Sequence, residues 1–113
     1  MHEYSIVQAL LETCETYVKE NKAEKVSKLV VKIGVLSGVE PDLLQRAFDT
    51  FKEKTICEDA IFELNIQKVV IKCLDCGTTS TLNKHEFFCP KCDSNMLDVL
   101  DGEEMYLMSL VLD

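Results

Sequence analysis

Apolar residues recur at three- and four-residue intervals near the start of the chain: Val7, Leu10, Leu11, Cys14, Tyr17 and Val18. That spacing predicts an amphipathic helix from Tyr4 to about Asn21, with one face turned to a core. Ser5 followed by Gln8 has the form of a capping box, which places the helix start close to the beginning of the chain. The pattern then changes period. In "KLVVKIGVL" apolar and polar positions alternate, with Val31, Ile33 and Val35 on one face and Lys28 and Lys32 on the other, as a half-buried strand requires. "SGVEP" interrupts it. Pro41 suits a first helical position, where its missing N–H removes nothing. Leu43, Leu44, Ala47, Phe48 and Phe51 then predict the buried stripe of a second helix reaching about Lys54. "AIFELNIQKVVIK" reads as a second strand, with Phe62, Leu64 and Ile66 sharing a face.

A cysteine-containing segment follows, from Cys73 to about Leu100, and after it "EMYLMSLVLD" returns to strand-like sequence. This order makes the cysteine segment an insertion, with the closing strand (about 104–112) rejoining the sheet begun earlier. The expected fold class is α+β: a small β-sheet with two helices, carrying an inserted zinc-ribbon-like four-cysteine domain. The expected division is 1–71 plus 101–113 for the α/β domain and 72–100 for the insertion. Strand order is not set by these patterns.

The totals narrow the function. A chain of 113 residues, 47% of them apolar, is globular and fits one domain or two small ones. No apolar run approaches the roughly 18 residues of a membrane span, so membrane insertion is not expected. The opening residues lack the basic region, apolar core and cleavage site of a secretory signal, which makes the cytoplasm the expected compartment. The net charge of −8, from 12 basic and 20 acidic residues, argues against a protein built to grip nucleic-acid phosphates.

Cys14 and Cys57 stand alone, and Cys14 falls on the apolar stripe of the first helix, so both read as buried apolar side chains. The other four form a C-x2-C-x12-C-x2-C array: Cys73, Cys76, Cys89 and Cys92. A C-x2-C turn aims two sulfurs at one ion, and two such turns complete a tetrahedron. Gly77 after Cys76 and Pro90 inside the second pair suit tight turns. Four thiolates suit Zn(II) and leave no open position, so the site is expected to be structural. Iron in a rubredoxin-like site and a redox dithiol are the alternatives. Between Lys72 and Leu100 three lysines face four acidic residues, and four thiolates on one zinc add further negative charge, so this ribbon is a poor match for phosphate. His85, between the two pairs, reads as a solvent-exposed loop residue, with a second metal contact or a pH-sensitive group as the other reading.

The chain begins Met1-His2-Glu3, and methionine is normally retained before a residue as large as histidine. The Met1 amine, the His2 amide and imidazole and the Glu3 amide lie in sequence and can surround one ion in a plane. Planar nitrogen sites favour Ni(II) or Cu(II). The amine and the imidazole have reference pKa values of about 7.7–8.0 and about 6.5, so protons compete with metal and binding should weaken as pH falls.

Taken together, "MHEYSIVQALLE", "IGVLSGVEPDLLQRAFDTF", "CLDCG", "CPKC" and "GEEMYLMSL" resemble the HypA family, nickel-insertion accessory proteins for nickel–iron hydrogenase maturation. The resemblance covers nearly the whole chain in order. It implies a metallochaperone with no reaction of its own. Ni(II) would be transient cargo held by the Met1 amine and by the backbone and side chain of His2, with the Glu3 amide completing the plane and the Glu3 carboxylate tuning the site or touching a partner. Zn(II) would be structural. The implied partners are a HypB-type GTPase and the hydrogenase large-subunit precursor. The resemblance also implies an acidic residue near nickel at Glu40, a position that reads equally well as a helix-start residue favoured by the dipole. Some members carry histidines beside the zinc cysteines, linked to acid response and to urease supply; here Gly77 and Asp93 stand there instead. Monomer and homodimer are both compatible with the patterns. The competing class is a zinc-ribbon protein- or nucleic-acid-binding module without a nickel function.

Overall fold

The computed structural model describes residues 2–83 and 86–113, the first of these through its backbone. The helix α1 spans His2–Glu20 and buries Val7, Leu10, Leu11, Cys14 and Val18, the stripe expected from spacing. Tyr17 lies at the margin of that stripe and is half exposed. The capping-box reading is corrected: the helix starts at His2, which puts Ser5 inside it. Its C-terminus closes by backbone geometry. Lys22 takes a left-handed conformation (φ 53°), and the Ala23 N–H reaches back to the Val18 carbonyl at 2.9 Å, so one last-turn carbonyl is satisfied without glycine.

Strand β1, Val26–Gly34, is followed by helix α2, Pro41–Phe51, with Pro41 in its first turn as expected. Only Leu44, Ala47 and Phe48 of α2 are buried. The predicted stripe was too wide: Leu43 is exposed, and Phe51 meets the Tyr4 ring edge-on at 5.2 Å between centroids. Strand β2 is Ile61–Gln67 and strand β3 is Val69–Cys73. The single strand expected over 60–72 is therefore two, and they belong to different sheets. Strands β4, Thr79–Leu82, β5, Leu97–Asp101, and β6, Met105–Leu112, complete the order.

One sheet has the order β2-β1-β6, with β1 parallel to β2 and antiparallel to β6. Parallel pairing of β1 and β2 needs a crossover, and α2 lies in that connection. The closing strand β6 rejoins this sheet, as its patterning predicted. Leu29, Val31 and Ile33 of β1 turn toward the helices, Phe48 stacks on Phe62 at 4.1 Å, and Leu107 and Leu110 pack against the same core. The other sheet, β4-β3-β5, is antiparallel throughout and encloses Val69, Ile71 and Leu82.

The chain passes between the sheets twice, at Lys68 and at Gly102, and the two passages touch. A Cβ on Gly102 (φ 99°) would lie 2.8 Å from the Val69 Cα, and one on Gly34 would lie 2.4 Å from the Gly102 backbone. Backbones this close exclude any side chain larger than hydrogen. The end of β1 grips both passages, through the Val35 N–H on the Gln67 carbonyl (2.9 Å) and the Leu36 N–H on the Gly102 carbonyl (2.8 Å). Lys32 adds an ion pair to Asp101 at 2.9 Å and lies over the Tyr106 ring.

Candidate metal centres

Strand β3 ends at Cys73, so the sheet delivers the first sulfur directly to a turn. Two successive turns then follow one plan. Within Cys73–Thr78, the Gly77 N–H donates to the Cys73 carbonyl and the Cys73 N–H donates to the Thr78 carbonyl, both at 2.9 Å. Within Cys89–Ser94, the Asp93 N–H donates to the Cys89 carbonyl at 2.9 Å and the Cys89 N–H to the Ser94 carbonyl at 2.8 Å. The residue after each second cysteine is left-handed: Gly77 at φ 75° and Asp93 at φ 61°. Glycine takes that conformation freely, and aspartate is among the few other residues that tolerate it.

These turns bring the four predicted sulfurs of Cys73, Cys76, Cys89 and Cys92 within 4.8 Å of one another. Cys73 Sγ and Cys92 Sγ lie 3.5 Å apart, and Cys76 Sγ and Cys89 Sγ 3.6 Å. A tetrahedron with metal–sulfur bonds of about 2.3 Å has edges of about 3.8 Å, so the donor set fits zinc with little adjustment. Backbone N–H groups support the sulfurs: Cys76 N–H to Cys73 Sγ and Lys91 N–H to Cys89 Sγ, each at 3.4 Å. The Thr78 hydroxyl, 3.3 Å from Cys76 Sγ, and then the Thr78 backbone lower the Cys76 thiol to about 6, which favours the ligating thiolate. Cys73 and Cys89 are buried, whereas Cys76 and Cys92 face outward. The Ser94 hydroxyl donates to the Asp75 carboxylate and links the two turns. Residue spacing gave no sign of that bridge, because its partners are far apart in sequence. Cys14 and Cys57 are fully buried and stand apart from the array, as expected.

At the other candidate centre, Met1 and the His2 side chain lie outside the described residues, as does His85 in the cysteine loop. Glu3 and Glu40 are described, and the fold brings them together. Glu3 lies in the first turn of α1 and Glu40 is the residue before α2. The Glu40 N–H donates to Glu3 Oε2 at 3.4 Å, while the Glu40 side chain makes no capping bond. Glu3 is only 6% exposed and is the one charged side chain buried among the described residues. Hydrogen bonds from its own backbone N–H and then from the Glu40 N–H hold its carboxyl below the ordinary value. Among the described residues, no helix is long and apolar enough to cross a membrane.

A chain with a terminal helix, a mixed three-stranded sheet and a tetrathiolate-competent appendage has the architecture of a small metal-handling protein. The comparisons with known proteins give the family. Residues 1–112 match the family model described as HypA, hydrogenase/urease nickel incorporation, metallochaperone. A hydrogenase maturation factor HypA of Shewanella oneidensis is 53% identical, the match covering 100% of this chain and 96% of that one. The Aquifex aeolicus factor is 50% identical, over 100% and 98%. The solution structure of the Ni metallochaperone HypA from Helicobacter pylori aligns with a TM-score of 0.68 at 38% identity, covering 97% of this chain and 96% of that one. A second HypA solution structure gives a TM-score of 0.74 at 38% identity, over 99% and 96%. The chain belongs to the HypA family of nickel-incorporation metallochaperones for hydrogenase maturation.

Proposed function

We propose that this chain binds one Ni(II) through the Met1 amine, the His2 amide and imidazole and the Glu3 amide, and passes it to the large-subunit precursor of a nickel–iron hydrogenase. A HypB-type GTPase supplies or gates the metal. Zn(II), held by Cys73, Cys76, Cys89 and Cys92, fixes the small sheet and takes no part in transfer. The lobes of the proposal are 1–71 plus 101–113 for nickel and 72–100 for zinc. The change of sheet at Lys68 and Gly102 supports a division into two lobes, with all of β3 and β5 on the side of the cysteines. The protein is a cytoplasmic carrier, not an enzyme.

The observation that carries the terminal site is a family match that starts at residue 1, joined to a helix that starts at His2. The first amides of a helix have no partner in its hydrogen-bond ladder. A metal that displaces the His2 and Glu3 amide protons therefore breaks no ladder bond. Ligands at a chain terminus exchange one at a time, which suits delivery. Nitrogen ligation does not by itself prefer nickel over Cu(II), so selectivity rests on metal supply and on partner recognition.

A nickel titration followed by optical absorption tests this reading on three chains: native start, one added N-terminal residue, and His2→Ala. The native chain should saturate at one equivalent, and the other two should lose the planar nickel band. Equal binding by all three would remove the terminal site.

A further inference from the structure

Glu3 presents a physical problem that the nickel reading leaves open. Its backbone amide is assigned to the metal, yet its carboxylate is buried, and burying a charge is costly unless it is compensated. The compensation comes from two directions. The starts of α1 and α2 converge on this side chain, each presenting the positive end of a helix dipole and first-turn N–H groups that lie outside the helix ladder. The Glu40 N–H donates across the gap at 3.4 Å. The next residue, Tyr4, meets Phe51 edge-on, which ties the start of α1 to the far end of α2 as well. One carboxylate oxygen thus reaches the start of α2.

We infer that the Glu3 side chain is a positioning residue: its carboxylate pins the first turn of α1 to the start of α2 through the Glu40 N–H, and presents the terminal nitrogens to nickel without ligating the ion. This rests on the terminal nickel site proposed above and adds a division of labour within one residue. The Glu3 amide serves the metal and the Glu3 carboxylate serves the fold. The same geometry gives Glu40 a backbone role.

The test uses the zinc-loaded full chain with Glu3→Gln and Glu3→Ala. Glutamine keeps an acceptor oxygen at the same reach and guards against a variant that fails to fold, whereas alanine removes the acceptor. Without nickel, deuterium exchange at the Glu40 amide should be slowest in the native chain, intermediate in Glu3→Gln and at least tenfold faster than native in Glu3→Ala. With nickel, Glu3→Ala should weaken apparent affinity about threefold to tenfold while the absorption band keeps its position, because the four nitrogens are unchanged. An unmoved Glu40 exchange rate in Glu3→Ala would overturn the pin. A displaced band would overturn it too, since it would put the carboxylate in the coordination sphere. If native and His2→Ala chains titrate alike, the terminal site itself fails, and exchange at Glu40 in nickel-free protein still decides whether the pin exists.

Discussion

The two sheets are held together by different means. Around β2-β1-β6, fourteen described side chains are buried, from Val7 on α1 through Leu29 and Ile33 on β1 to Phe48 on α2. Inside β4-β3-β5 the cluster is three, Val69, Ile71 and Leu82, apart from the buried ligand-set cysteines Cys73 and Cys89. A core of three side chains falls far short of offsetting the conformational entropy lost by some thirty ordered residues. The first region closes by burial. The second needs a cross-link, and its two matched turns supply four sulfurs at metal-ligating separation. Under the proposed function the difference suits a carrier: a resident ion would build structure, and cargo would be left to a terminus whose ligands can come and go.

The comparison breaks first, and by the largest amount, at the array. Structural zinc in such sites contributes roughly 10–16 kcal/mol to folding. Cys76→Ser, or a strong chelator, should therefore unfold β3, β4 and β5 while α1, α2 and β1 persist. Amide spectra should show about a quarter of the resonances collapsing and the rest nearly unmoved. A zinc-free Cys76→Ser chain with β3–β5 intact would show that the small core suffices.

The reverse experiment acts on the larger core. Phe48→Ala removes a fully buried ring that stacks on Phe62, and should cost about 3–5 kcal/mol in chemical denaturation. Zinc content should stay at one per chain under native conditions, because the array draws no ligand from that core. Loss of zinc together with this ring would join the two regions energetically.

The smallest effect is expected where they meet. The Lys32 ammonium, and then the Gly102 N–H, hold the Asp101 carboxyl below its ordinary 3.8. A depressed carboxylate stabilises the fold above its unfolded-state pKa, and that contribution is lost as pH falls through the depressed folded-state value. Asp101→Asn should thus lower stability modestly near neutrality and flatten its fall below about pH 4, so that the two chains converge in acid, measured by denaturation across that range. An unchanged acid slope would mean that this ion pair contributes nothing to the junction.

Much of this was legible in the residues. Cysteine spacing gives the array directly, since ligand geometry is local. The apolar stripe of α1 gives its buried face. The change of sheet is not legible, because "AIFELNIQKVVIK" keeps a strand-like alternation across Lys68 and nothing in a period-2 pattern says which neighbour a strand pairs with. What enforces the change is the approach of Gly34 and Gly102, two residues 68 positions apart. The Glu3–Glu40 contact is hidden for the same reason, and Ser5 with Gln8 met the form of a cap in a helix that had already begun. Gly77 signalled its left-handed turn; Asp93, in the equivalent place, did not, although the second turn has the same hydrogen bonds.

The central claim is that two ions occupy separate places in one chain, one caged by sulfur and one at the terminal nitrogens. Native mass spectrometry of the chain loaded with both metals tests it most directly, with an N-terminally acetylated chain and Cys89→Ser alongside. The account predicts one zinc and one nickel on the native chain, zinc alone after acetylation, and loss of zinc with Cys89→Ser. An acetylated chain that still carries both ions would contradict it.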